Sequence, residues 1–134
     1  MIHVAKLILI NKDNKYLMLY RSEHPSFPND PDLTGGTVEE GEQPDQALVR
    51  EVVEETGISL EKSAIKKVYE SSKYSKDSTY YLYMMKCDNE PEVNISWEHS
   101  RYEWLSLSVF IANTSSANDG YMHMVYEYLS WNGS

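Results

Sequence analysis

The order of apolar and polar positions divides this chain before any motif is considered. Residues 2–10 (IHVAKLILI) begin with alternation and pass into a continuous apolar run, which reads as a strand. A polar turn at 11–14 leads to a second strand over 15–21 (KYLMLYR). Residues 22–31 hold Pro25, Pro28 and Pro31 and are too rich in turn formers to be an element. Further strands are expected at 64–70 (AIKKVYE) and at the tyrosine-rich 79–87 (TYYLYMMKC), with a polar turn between them. Residues 93–97 (VNISW) and 102–106 (YEWLS) are short strand candidates. Residues 118–129 end the fold as a helix, with Tyr121, Met124, Val125, Tyr128 and Leu129 at core spacing.

Between the two halves lies a loop–helix–loop. Residues 33–38 carry Gly35 and Gly36, and 39–43 form a tight loop. Pro44 suits the first helical position, Asp45 suits the first turn, and Gly57 suits the end. Leu48, Val49, Val52 and Val53 make an apolar band along this helix. The whole reads as one mixed α/β domain over residues 1–134 (α+β in type), with strands forming the body and helices packed on it.

The same helix carries an unusual concentration of charge. The stretch GTVEEGEQPDQALVREVVEETGI places seven acidic residues beside three glycines and one arginine. Glu51, Glu54 and Glu55 stand at i, i+3 and i+4, within an arc of roughly 100° on a helix. Carboxylates so placed repel by about 4 kcal/mol per pair at ~4 Å and an effective dielectric near 20. Either water or a divalent cation must offset that repulsion.

Composition narrows the options. The chain has 134 residues, 41% hydrophobic and 25% charged, enough for a single core. A lone cysteine, Cys87, rules out an internal disulfide framework and suits a reducing cytosol. No basic-apolar leader and no run approaching 18 apolar residues is present, so a cytoplasmic protein without a membrane span is expected. A net charge of −9 argues against duplex nucleic acid as a partner. It does not exclude phosphate substrates, because bound metal ions make an acidic site locally positive.

The spacing Gly36, Glu42, Arg50-Glu51-Val52, Glu54-Glu55, Gly57-Ile58 resembles the signature of the Nudix hydrolases. Chance agreement at ordinary residue usage is on the order of one in a billion per window. The resemblance spans essentially the whole chain and implies the Nudix fold, a mixed β-sheet sandwiched between helices. It also implies a hydrolase that cleaves the diphosphate linkage of nucleoside diphosphate derivatives. Candidate substrates are (deoxy)nucleoside triphosphates, oxidised ones included, nucleotide sugars and dinucleoside polyphosphates. Many relatives pair as dimers, so a homodimer is one expected arrangement. The alternative from another class is a non-catalytic Nudix domain that senses a nucleotide and regulates a partner; such domains typically lose signature glutamates, and this chain keeps them. Isomerase chemistry on the same fold would need a catalytic cysteine in another context than Cys87.

By the same resemblance Glu51, Glu54 and Glu55 are metal ligands for Mg2+, with Mn2+ as an alternative, and the Gly36 carbonyl joins them. Arg50 pairs with Glu42 and holds a catalytic carboxylate in place, or is a plain surface arginine. The general base is Glu51 or a glutamate from a later loop. Here that is Glu98, which is a ligand or base, or else an ordinary loop acid; Glu103 is a weaker candidate. Arg21, Gly35 and Gly36 are candidates for substrate contact, and Lys6 is a weaker one. His99 either positions a phosphate or is a neutral surface histidine. Tyr20, Phe27, Tyr81, Tyr83 and Trp104 offer stacking surfaces, although strand aromatics are mostly core. Relatives often place proline before the Gly-Gly pair, whereas this chain has Thr34, which leaves the shape of the preceding loop open.

Overall fold

The computed structural model describes residues 1–22 and 29–132. A seven-stranded mixed sheet runs through it. Strand β1 (Ile2–Ile10) lies in the middle: it pairs antiparallel with β2 (Tyr16–Arg21) and β4 (Thr34–Thr37), and parallel with β6 (Ser78–Lys86) along its full length. Strand β2 also pairs with the two-residue β3 (Pro31–Asp32) and with β7 (His99–Leu105), while β5 (Lys66–Ser71) closes the far edge on β6.

Helices cover both faces, which explains why β1 loses its alternation. Ala5, Leu7 and Leu9 pack with Leu17, Leu19, Leu48 and Val52 against helix α1 (Pro44–Thr56). Ile8 and Ile10 pack from the other face with Phe110 of α2 (Leu107–Ser116) and Tyr121, Met124, Val125 and Leu129 of α3 (Gly120–Asn132). Successive strand residues point to opposite faces, so a strand covered twice must be apolar at both parities. Each fully buried leucine or isoleucine contributes about 1.5–3 kcal/mol.

Helix α1 begins with Pro44 behind a reciprocal cap between Gln43 and Gln46. It stops at Gly57, whose φ of +75° is left-handed and whose N–H reaches the Val53 carbonyl at 2.9 Å. The apolar band differs from expectation. Val53 is exposed, and Glu55 turns inward with Leu48 and Val52, because those three stand at i, i+4 and i+7.

Two other expectations are corrected. Residues 93–97 are not a strand: the Asn94 and Ser96 N–H groups donate to the Thr56 and Glu55 carbonyls, so this segment is tied to the end of α1 and lies outside the sheet. Helix α2 was not expected. Its start is capped by Ser106, whose Oγ accepts the Val109 N–H.

Candidate active site

Where β4 meets α1, two adjacent glycines serve different purposes. Gly35 has φ +133°, and a Cβ there would fall 2.1 Å from the Ala5 carbonyl oxygen on the neighbouring strand. A Cβ on Gly36 would fall 2.6 Å from the Glu51 carboxyl carbon. The second glycine therefore lets the Glu51 carboxylate lie directly on the β4 backbone.

The three signature glutamates occupy three environments. Glu55 is only 3% exposed, and one of its oxygens accepts both the Thr34 hydroxyl and the Gly35 N–H at 2.9 Å. Burial pushes its carboxyl above the ordinary range, against the pull of Lys6. Glu51 is partly buried and accepts from Arg50 Nη1 at 2.9 Å. Desolvation raises its carboxyl as well, with the Glu54 and Glu98 charges adding to the effect. The Glu54 side chain is 56% exposed and turns towards Arg50 Nη1 at 3.5 Å.

Arg50 ties helix to loop. Its Nε and Nη2 clasp the two Glu42 oxygens at 2.8 and 3.1 Å, and Nη2 also donates to the Thr37 carbonyl at 3.1 Å. The planar fork is what allows one side chain to grip Glu42 and Glu51 together. Glu42 is held below the usual carboxylate range by this hydrogen bonding.

The opposite wall is built around Asp32. This buried carboxylate accepts from Lys6 Nζ at 3.2 Å, from the Leu33 N–H at 3.0 Å and from the Tyr121 hydroxyl, and it meets His99 Nε2 at 2.9 Å. Arg21 approaches it at 3.5 Å while pairing with Asp119 at 2.8 Å. Burial alone would raise the Asp32 carboxyl, yet Lys6, His99, Arg21 and Tyr121 together hold it far below the ordinary range. Among the described residues His99 Nδ1 is the one buried side-chain polar atom without a partner.

These walls enclose a cavity of about 490 Å3. Glu51, Glu55, Glu98, Gly35, Gly36 and Arg21 all line it. Glu54, Arg50 and Glu42 do not; they stand behind or beside the glutamates. Glu103 is absent from the lining and is occupied by Tyr20 and Arg101. His99 is a buried cavity residue rather than a surface histidine. Tyr20, Tyr81, Tyr83 and Trp104 are also outside the lining, and Phe27 falls outside the described residues. Cys87 is a buried thiol away from the cavity, its pKa raised by burial.

Sequence reasoning did not reach Asp32, Tyr121, Asp119 or Trp97, all of which line the cavity. Asp32 meets Lys6, His99 and Tyr121 across 26, 67 and 89 residues of chain, so no local spacing announces the cluster.

The donors suit a hard divalent cation in kind: three carboxylates and a glycine backbone beside them. Among the described residues no three acidic or histidine side chains stand close enough to form a complete ligand set. A hard divalent cation that completes its shell with water and phosphate oxygens needs only one or two carboxylates.

Residues 1–124 match the NUDIX domain, and the chain belongs to that family. A putative 8-oxo-dGTP diphosphatase of Bacillus subtilis (strain 168) is 36% identical over 78 residues, covering 58% of this chain and 50% of the relative. An ADP-ribose pyrophosphatase of Methanocaldococcus jannaschii is 43% identical over 63 residues, 47% of this chain and 37% of the relative. The matched regions thus span half or less of these relatives' lengths. In three dimensions the chain resembles the MutT protein of Methanosarcina mazei Go1, with a TM-score of 0.78, 23% identity and coverage of 99% and 96% of the two chains.

Proposed function

We propose that this protein is a divalent-metal-dependent pyrophosphohydrolase acting on nucleoside diphosphate derivatives. The observation that carries this is the division of one cavity between glutamates on one wall and cations on the other. One or two of Glu51, Glu55 and Glu98, with the Gly36 carbonyl, would hold Mg2+ or Mn2+, water and phosphate oxygens would complete the shell, and Glu54 would reach the ion by turning away from Arg50. When bound, such an ion polarises phosphoryl oxygens and makes water a stronger nucleophile.

The chain's own groups then have separate tasks. The Arg21 guanidinium lines the cavity, and beyond the Nη2 pair with Asp119 its remaining N–H groups would serve a phosphate oxygen. Arg50 and Gly36 fix the Glu51 carboxylate in place. Glu51 and Glu98, which both line the cavity, would be the carboxylates that take a proton from an attacking water. The products are phosphates or phosphate esters.

The two relatives carry the names of different substrates, one an oxidised nucleotide and the other a nucleotide sugar, so likeness selects the class only. We favour a nucleotide-pool substrate in the cytosol. Among the described residues no helix is long and apolar enough to cross a membrane. Phosphate release from a panel of nucleoside triphosphates, nucleotide sugars and dinucleoside polyphosphates, with and without Mg2+, tests the reading. Magnesium-dependent turnover of at least one class is expected; binding without turnover across the panel would contradict it.

A further inference from the structure

We propose that Trp97 is the platform on which the planar base of the substrate stacks, which makes it a substrate-binding residue of this cavity. The inference rests on the pyrophosphohydrolase reading above and adds to it the position of the base.

Most of the lining is suited to phosphates. Lys6, Arg21, Asp32, Glu51, Glu55 and Glu98 bring charge to the cavity, and none of them offers an aromatic face. Four lining residues carry an aromatic ring: Tyr80, Tyr121, Trp97 and His99, the last buried with its Nε2 against Asp32. The two tyrosines are buried and pack against each other with ring centroids 5.9 Å apart, and the Tyr121 hydroxyl is occupied by Asp32 and the Leu33 N–H. Trp97 is 86% exposed, the most exposed of the large hydrophobic side chains among the described residues. An indole left in water at the mouth of a charged cavity is a free stacking face.

The backbone around Trp97 is firmly placed. The Ser96 N–H donates to the Glu55 carbonyl at 3.1 Å, and Asn94 N–H to the Thr56 carbonyl at 2.9 Å. On the other side Ser22 donates twice, from Oγ to the Trp97 carbonyl at 2.7 Å and from N–H to the Glu98 carbonyl at 3.0 Å. The segment bearing Trp97 is therefore fastened to the helix that carries the glutamates and to the end of the strand that carries Arg21. A base resting on the indole is held in register with its own phosphates. Stacking tolerates any base, because every base has a π-face, and purines offer the larger one.

The test uses Trp97→Ala and Trp97→Phe in the full chain, with kinetics on the best nucleotide substrate of the panel. Trp97→Ala should raise KM on the order of tenfold, as expected for one lost base–aromatic stack, with kcat changed by less than about twofold. Trp97→Phe should restore KM to near the parent value. A non-hydrolysable methylene-bridged analogue should quench tryptophan emission in the parent, and the quench should vanish in Trp97→Ala at saturating analogue. A fall in kcat at constant KM, an unchanged KM, or a quench of full size in Trp97→Ala would each overturn the proposal. If the parent protein turns over nothing on the panel, the catalytic reading fails, and the emission titration still decides the role of Trp97.

Discussion

The Thr34 hydroxyl donates to the buried Glu55 carboxylate at 2.9 Å, on the same oxygen that receives the Gly35 N–H. Thr34 is the residue that stands where relatives often carry proline, and proline has no hydroxyl to give. Thr34→Val keeps the shape and removes the donor. It should cost about 1–3 kcal/mol of stability, the usual penalty for a buried acceptor losing a partner. Chemical denaturation measures this directly.

Gly35 and Gly36 should respond differently to alanine. Gly35→Ala meets the Ala5 carbonyl oxygen at 2.1 Å from a backbone at φ +133°. It should destabilise the fold by more than about 2 kcal/mol. Gly36→Ala meets the end of a side chain, the Glu51 carboxyl. It should fold with a smaller loss and lose most of its activity, because the displaced group is the carboxylate proposed above to serve turnover. Melting curves beside kcat/KM for the pair separate the two outcomes.

Acid should stabilise the metal-free protein over a defined range. Burial raises the Glu51 and Glu55 carboxyls in the folded state, so the folded chain binds those protons more tightly than the unfolded chain. Their contribution to stability therefore rises as pH falls through the raised folded-state values and levels off below the ordinary glutamate value of about 4.3. Asp32 acts in the opposite sense: its lowered carboxyl stabilises the fold above the ordinary aspartate value of about 3.9, and that stability is lost below it. Glu51→Gln should flatten the upper limb relative to the parent. Mg2+ at about a hundred times its dissociation constant should add about 2.7 kcal/mol at pH 7, and less as pH falls. Melting without metal and in Mg2+ across about pH 2–8 checks both limbs.

Glu54 offers a cleaner separation of activity from stability. Its side chain is 56% exposed and touches only the rim of the Arg50 cluster. Glu54→Gln should leave stability within about 0.5 kcal/mol and lower turnover by an order of magnitude or more. Activity within a few-fold of the parent would remove Glu54 from the ligand set.

What could be read from the sequence followed the range of the interactions involved. Strand β1 and helix α1 were legible because their patterns are local: an apolar run, a proline at the helix start, a glycine at its end. Arg50 meets Glu42 eight residues away, and both sit inside one contiguous motif. Helix α2 was not legible, since LSVFIANTSS mixes β-branched residues with Ser, Thr and Asn, which are poor helix formers. Residues 93–97 have the alternation of a strand, but their N–H groups are spent on the end of α1. The Asp32 cluster draws on strands, a helix and chain separations up to 89 residues, and only the folded sheet brings it together. The inward turn of Glu55 was hidden for a similar reason: its donors come from β4.

The central claim is that the Glu51 wall of this cavity supports metal-assisted attack of water on a diphosphate. It is tested most directly by following the parent and Glu51→Gln proteins on the best nucleotide substrate in ¹⁸O water, with and without Mg2+. The account predicts one ¹⁸O atom in a single product, turnover only with the metal, and a loss of at least about a hundredfold in the variant, or roughly 2.7 kcal/mol of barrier. Turnover in EDTA, or a variant within a few-fold of the parent, would contradict it.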